Sequence, residues 1–290
     1  MTTGDSIGRS RMLPPLPERM RPHDLDGYVG QRHLIGQGCI LRNMIESGNL
    51  SSFILWGPPG VGKTTLSHIV AKSLGREFFT LSAVSSGVKD VRDVIDRARS
   101  NSLFASGSSP ILFIDEIHRF NKAQQDVLLP HLERGTVRFI GATTENPFFA
   151  INSAMLSRSQ IFPLEPVKDS DIVELLRRAM TDAERGLGNL AVDVAEDALA
   201  HLALKADGDV RKALTALEVA VLSTPVGNDG VIHVDLSVAE ESIQKKAVKY
   251  DRAGDGHYDT ISAFIKSYNV SNCQSAHNFN PKLFSGNYLL

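Results

Sequence analysis

Apolar residues arrive in two rhythms along the first 165 positions, and their alternation sets the expected architecture. Ser52-Phe53-Ile54-Leu55-Trp56 is a short, nearly unbroken apolar run, the pattern of a strand buried on both faces. A glycine-rich turn follows. Over 63–74 the apolar residues Leu66, Ile69, Val70 and Leu74 then fall on one helix face, and Gly75 marks its end. The same reasoning predicts strands over 78–81, 111–114, 137–141 and 161–164, with helices over 88–99 and 121–132 between them. Alternating strands and helices predict a five-stranded parallel sheet covered on both faces, an αβα sandwich over 23–165. Beyond Glu165 only helical spacing remains, over 170–185, 194–206, 209–221 and 235–248, so a small all-helical domain is expected over 166–248. Residues 1–22, with prolines at 14, 15 and 17, read as a mobile arm.

Composition adds exclusions. The chain has 290 residues, 42% hydrophobic and 22% charged, ordinary for a globular protein. A formal net charge of −2 gives no global attraction to nucleic acid, so such binding would need a local patch or a multi-subunit surface. Cys39 and Cys273 alone form no zinc quartet and no disulfide framework, which fits a reducing compartment. The leading residues lack a signal-peptide core and no segment reaches membrane-spanning length, so a soluble cytoplasmic protein without membrane contact is expected.

The chemistry is concentrated at two strand ends. Gly57-Pro58-Pro59-Gly60-Val61-Gly62-Lys63-Thr64, followed by Thr65, matches G-x-x-x-x-G-K-[ST] between a predicted strand and a predicted helix. The glycines let backbone N–H groups curl around ATP phosphates, Lys63 reaches the β/γ oxygens, and the Thr64 hydroxyl ligates Mg²⁺. A flexible turn would not account for Lys-Thr where a helix begins. The apolar strand 111–114 runs directly into Asp115-Glu116, placing both acids where α/β sheets collect ligand chemistry. Asp115 is expected in the Mg²⁺ shell and Glu116 as the base that activates water for hydrolysis.

At Asp115-Glu116-Ile117-His118-Arg119-Phe120-Asn121-Lys122 and Gly141-Ala142-Thr143-Thr144-Glu145-Asn146-Pro147 the chain resembles the RarA/MgsA family. These are replication-associated recombination ATPases related to Werner-helicase-interacting ATPase, in the clamp-loader branch of AAA+ proteins. The resemblance covers about 21–267 and includes Tyr250-Asp251-Arg252-Ala253-Gly254 and His257-Tyr258-Asp259-Thr260-Ile261-Ser262. It implies a P-loop AAA+ sandwich with a helical lid. It also implies Thr144 as the polar sensor holding the attacking water, with Asn146 as alternative. Arg158 in Leu156-Ser157-Arg158 resembles the arginine finger offered to a neighbouring subunit's ATP, and Arg211 in Gly208-Asp209-Val210-Arg211 the second sensor. The segment from Leu25 to Gln31, including Val29, resembles the part that packs around adenine.

DNA binding is implied by the family, since no nucleic-acid-binding motif appears in the residues. One physical candidate for holding a DNA phosphate, single-stranded or at a fork or gap, is Ser85-Ser86-Gly87-Val88-Lys89, through Ser86, Gly87 and Lys89. The resemblance further implies replication and repair proteins as partners, nucleoid or nuclear association, and homo-oligomers built through AAA+ faces. Residues 249–267 look like the start of the family's C-terminal helical region, whereas 268–290, with asparagines at 269, 272, 278, 280 and 287, resemble nothing in it. The loss of that region is expected to weaken assembly. Three functions follow as expectations: a DNA-stimulated ATPase in fork maintenance, a branch-migration motor or clamp-loader subunit, and a nucleotide-gated scaffold with little turnover.

Overall fold

The computed structural model describes residues 13–102 and 109–243. Three helices, α1 (Leu16–Arg19), α2 (Arg32–Ile35) and α3 (Ile40–Glu46), precede β1 (Phe53–Trp56). The sandwich continues through α4 (Lys63–Ser73), β2 (Phe78–Ser82), α5 (Val88–Ser102), β3 (Ile111–Asp115), α6 (Lys122–Glu133) and β4 (Arg138–Thr143). Short helices α7 (Pro147–Ala150) and α8 (Ser153–Leu156) then lead to β5 (Gln160–Pro163). All described pairings in this sheet are parallel, in the order β2-β3-β4-β1-β5.

Side chains alternate across each strand, which explains why the central runs are apolar throughout. Phe53 and Leu55 of β1, with Ile111 and Phe113 of β3, pack with Leu66, Ile69 and Val70 of α4 in one core. Ile54, Leu112 and Ile114 point to the other face, against Val91 and Ile95 of α5 and Leu128 of α6. Two buried layers on one sheet are the expected αβα sandwich.

The second domain holds α9 (Asp169–Thr181), α10 (Glu196–Ala206), α11 (Val210–Ser223) and α12 (Leu236–Ser242) around an aliphatic core. It is helical, with an addition that periodicity did not predict. Val192–Val194 (β6) and Ile232–Val234 (β7) form a two-stranded parallel ribbon, so Val194, expected to open a helix, ends a strand. Three alternating residues are too few to register against a helical background. The helix expected over 170–185 ends at Thr181, because Leu187 returns its N–H to the Ala179 carbonyl and Asp182 caps Glu184 and Arg185 instead. The regions 249–267 and 268–290 lie outside the described residues.

The mobile arm expected over 1–22 is corrected for its described part. Leu16 is fully buried and Met20 nearly so, both within the helical-domain core. Glu218 on α11 accepts from the Leu16 backbone N–H (2.9 Å) and from Arg19 Nη2 (2.8 Å), while Arg19 Nη1 donates to the carbonyls of Arg185 and Gly186. Proline flanks masked a helical turn whose two apolar residues stand four apart. Leu16→Ala should therefore destabilise the helical domain by about 2–5 kcal/mol, as for other buried leucines. Leu13→Ala, at a position 70% exposed, should change little. Equal denaturation midpoints for the two variants would show that residues 13–20 do not hold the domain.

Candidate active site

The sheet order brings the chemistry together. β4 lies between β1 and β3, so the turn after β1, the carboxylates at the end of β3 and the threonines at the end of β4 share one edge. The Gly57 N–H donates to the Thr143 carbonyl at 3.2 Å, tying the start of the phosphate turn to β4. Within that turn Gly60 and Gly62 have φ of +74° and +98°, open only to glycine at low cost. A Cβ on Gly60 would strike the Asp209 carboxylate, and one on Gly62 the Tyr28 hydroxyl. The helical domain and the segment that carries Tyr28 thus touch the glycine-rich turn where side chains are missing.

Tyr28 donates its hydroxyl to the Val61 carbonyl at 3.1 Å, and burial pushes its pKa above the ordinary phenol value. From the other side Asp209 caps α11 by accepting from the Lys212 N–H, and the Val210 N–H reaches the Gly60 carbonyl at 3.3 Å. Arg211, in the first turn of α11, faces the same cavity of about 490 Å³. Pro59, Gly60, Val61, Gly62, Lys63, Thr64 and Thr65 form its floor, with Asp115 and Glu116 beside them and Val29, Met20 and Leu214 on its walls. That volume suits a nucleotide-sized ligand.

Lys63 is 7% exposed and donates to the Gly57 and Pro58 carbonyls at 2.7 Å each. Burial lowers its pKa to about 8, against the opposing pull of Glu116 and Asp115 and with a smaller push from Arg211. The Thr64 hydroxyl lies 3.3 Å from Asp115 Oδ2. Glu116 follows in the left-handed region at φ +54°, its N–H donating to Asp115 Oδ1 and its Oε2 accepting from the Thr144 hydroxyl at 3.3 Å. A cradle of bare backbone, a buried ammonium and a hydroxyl–carboxylate pair fit a Mg²⁺-bound triphosphate.

Residues 53–165 match the family model described as ATPase family associated with various cellular activities (AAA), and residues 188–268 match the AAA C-terminal domain. Replication-associated recombination protein A of Bacillus subtilis (strain 168) is 44% identical over 271 residues, covering 93% of this chain and 63% of that protein. The protein of the same name from Haemophilus influenzae is 46% identical over 253 residues, 87% of this chain and 56% of that one. The chain thus carries an AAA domain followed by an AAA C-terminal domain, and it is similar to the replication-associated recombination proteins. It spans 63% and 56% of these relatives' own lengths. The Thermotoga maritima RuvB Holliday junction branch migration motor superposes with a TM-score of 0.62 at 24% identity, over 87% of this chain and 81% of that one, a likeness of fold alone.

Several residues of this AAA site stand where the motifs suggested, and others do not. Thr144 reaches Glu116, whereas Asn146 is spent on capping α7, where its side chain accepts from the Phe148 N–H. Arg158 lies outside the cavity, half exposed and paired with Glu133 at 2.8 Å. The Gly87 N–H, expected to hold a DNA phosphate, donates instead to Asp90 at 2.7 Å, and Ser86 offers its carbonyl to Gln124. Gly87 and Lys89 of that trio are exposed, and Lys89 is the one that carries a charge. Met20, Leu214 and Asp209 had no assigned role; apolar walls carry no motif, and Asp209 was quoted only as a neighbour of Arg211. No described helix is long and apolar enough to cross a membrane.

The pKa of Lys63 sets a pH signature for this cavity. Without ligand its ammonium loses its proton as pH rises through about 8, while an anionic phosphate favours the charged form. Nucleotide affinity should therefore weaken from about pH 7 to about pH 9, and binding near the upper end should take up a proton. Titration calorimetry in two buffers of different ionisation enthalpy reads both effects. Constant affinity without proton uptake would show that Lys63 stays charged throughout.

Proposed function

We propose that the chain hydrolyses ATP with Mg²⁺ and that DNA stimulates this turnover, in the maintenance and recombination of replication forks. The observation that carries the proposal is the conjunction at one sheet edge. Thr64 Oγ1 stands 3.3 Å from Asp115 Oδ2, and Glu116 is held by Thr144 beside the buried Lys63. Lys63 binds the β/γ oxygens, and Thr64 and Asp115 hold the metal. When bound, the metal supplies charge neutralisation at the transferring phosphate. Glu116 takes the proton from the attacking water and Thr144 fixes the carboxylate that does so. Arg211 reports nucleotide state to the helical domain from the first turn of α11. Arg158, exposed on the α8 side, acts on a neighbouring copy's nucleotide, where its charge stabilises the transition state. The names of the relatives, replication-associated recombination proteins, support the cellular role.

DNA contact through phosphates rests on Lys89, with Ser86 and Gly87 as its backbone setting. Such binding is weakly sequence-selective and falls steeply with salt. Steady-state ATP hydrolysis without DNA, with single strands and with gapped or forked duplexes, at several salt concentrations, tests both halves. Turnover should rise on DNA, and Lys89→Ala should weaken that rise modestly. Lys63→Ala should abolish ATP binding, while Glu116→Gln should bind ATP and lose turnover. A chain that binds ATP and never hydrolyses it, with or without DNA, would be a nucleotide-gated scaffold.

Specific activity should also rise with protein concentration, because the finger must come from another copy. Arg158→Ala should remove that rise and leave ATP affinity nearly unchanged. Activity independent of both concentration and Arg158 would place the finger elsewhere.

A further inference from the structure

His118 is the second residue of the 3₁₀ turn Ile117–Arg119 that follows Glu116, and its side chain is only 5% exposed. Its Nε2 lies 3.3 Å from Glu116 Oε2 and 3.6 Å from Glu145 Oε1. Its Nδ1 lies 3.1 Å from the hydroxyl of Thr143, a fully buried residue at the end of β4. Nε2–H donates to Glu116, while Nδ1 meets a Thr143 hydroxyl that also lies 3.2 Å from the Glu145 carbonyl and accepts the Glu145 N–H at 3.1 Å. The next residue, Thr144, donates to the same Oε2 at 3.3 Å. Glu116 Oε2 is thus held from two sides by consecutive threonines, once directly and once through an imidazole. No donor reaches Oε1 among the described residues.

We propose that His118 is a positioning residue for ATP hydrolysis, aiming the Glu116 carboxylate so that Oε1 faces the attacking water, with Glu145 as a competing acceptor that loosens this hold. The inference rests on the reading of Glu116 as base. Glu116 has a side chain 32% exposed, so surrounding packing alone does not fix its direction. Its aim therefore comes from its donors. At 3.6 Å Glu145 is too far for a hydrogen bond in this arrangement, yet close enough to divert the single Nε2–H. Glu145 is exposed, so a cation approaching it from outside would return His118 wholly to Glu116.

The test uses steady-state kinetics, ATP affinity and a direct view of the ring. His118→Ala should lower kcat by about 10- to 100-fold, the scale of a misplaced catalytic group, with KM for ATP and ATP affinity unchanged. His118→Gln, whose amide nitrogen reaches the Nε2 position, should recover most of the loss. Glu145→Ala should raise kcat by about twofold. In the nucleotide-free chain, ¹⁵N spectra of labelled histidine should show a proton on His118 Nε2, and Glu116→Ala should shift the Nε2 resonance. A His118→Ala variant with full kcat, a Gln variant as slow as Ala, or a ring signal indifferent to Glu116→Ala would each overturn the proposal. The layers separate cleanly: a Glu116→Gln variant that keeps turnover removes the base itself. An inactive Glu116→Gln beside a fully active His118→Ala removes only the positioning role.

Discussion

The site depends first on the register of three parallel strands. Trp56 of β1 pairs with Thr143 of β4, and Ile114 of β3 pairs with Gly141, so the phosphate turn, the two threonines and the two carboxylates leave the sheet at one edge. A one-residue slip in either pairing would turn the alternating apolar positions of these strands to the wrong faces. The two buried layers on either side of the sheet forbid that. The geometry of the candidate site is therefore enforced by hydrophobic packing at a distance from it. The contacts to the Glu116 carboxylate from Thr144 and His118 are 3.3 Å each, and they act as guides on a frame set by the sheet.

The second domain enters the site by a different route. Its helix α11 begins at the nucleotide cavity, with Asp209 against Gly60 and Arg211 facing the same space as Lys63. The pKa of Lys63 responds to groups from both domains: Asp115 and Glu116 belong to the sheet, Asp209 and Arg211 to the helical domain. A change in the position of α11 therefore alters the charge environment of the phosphate-binding ammonium, as well as the shape of the cavity.

Much of this was readable from residues alone, for identifiable reasons. The sheet, its covering helices and the positions of Lys63, Thr64, Asp115 and Glu116 follow from long apolar runs and from a motif whose spacing has one mechanical use. What escaped depends on contacts between distant positions. The burial of Leu16 and Met20 is decided by Glu218, Arg185 and Gly186, about 170–200 residues away, and local proline content pointed the opposite way. The ribbon of β6 and β7 is too short to show a period. Asp90 takes the Gly87 N–H, an ordinary cap that outcompetes the anion site drawn there. His118 stood in the quoted motif without a role, because its value lies in Thr143 and Glu145, brought to it by the strand register.

The same early segment has a mechanical consequence. Residues 16–19 are bound to α11, whereas Tyr28 is bound to the phosphate turn and Gln31 exchanges hydrogen bonds with the backbone of Glu165. The stretch between Met20 and Tyr28 is a leash along the cavity, which Arg21, Pro22 and Gly27 help to line. Eight peptide units reach at most roughly 26–29 Å when fully extended. As long as both anchorages hold, the separation of α11 from the turn after β1 is limited by that length. A pull on the chain ahead of Leu16 would be delivered to α11 before any strand of the sheet felt it.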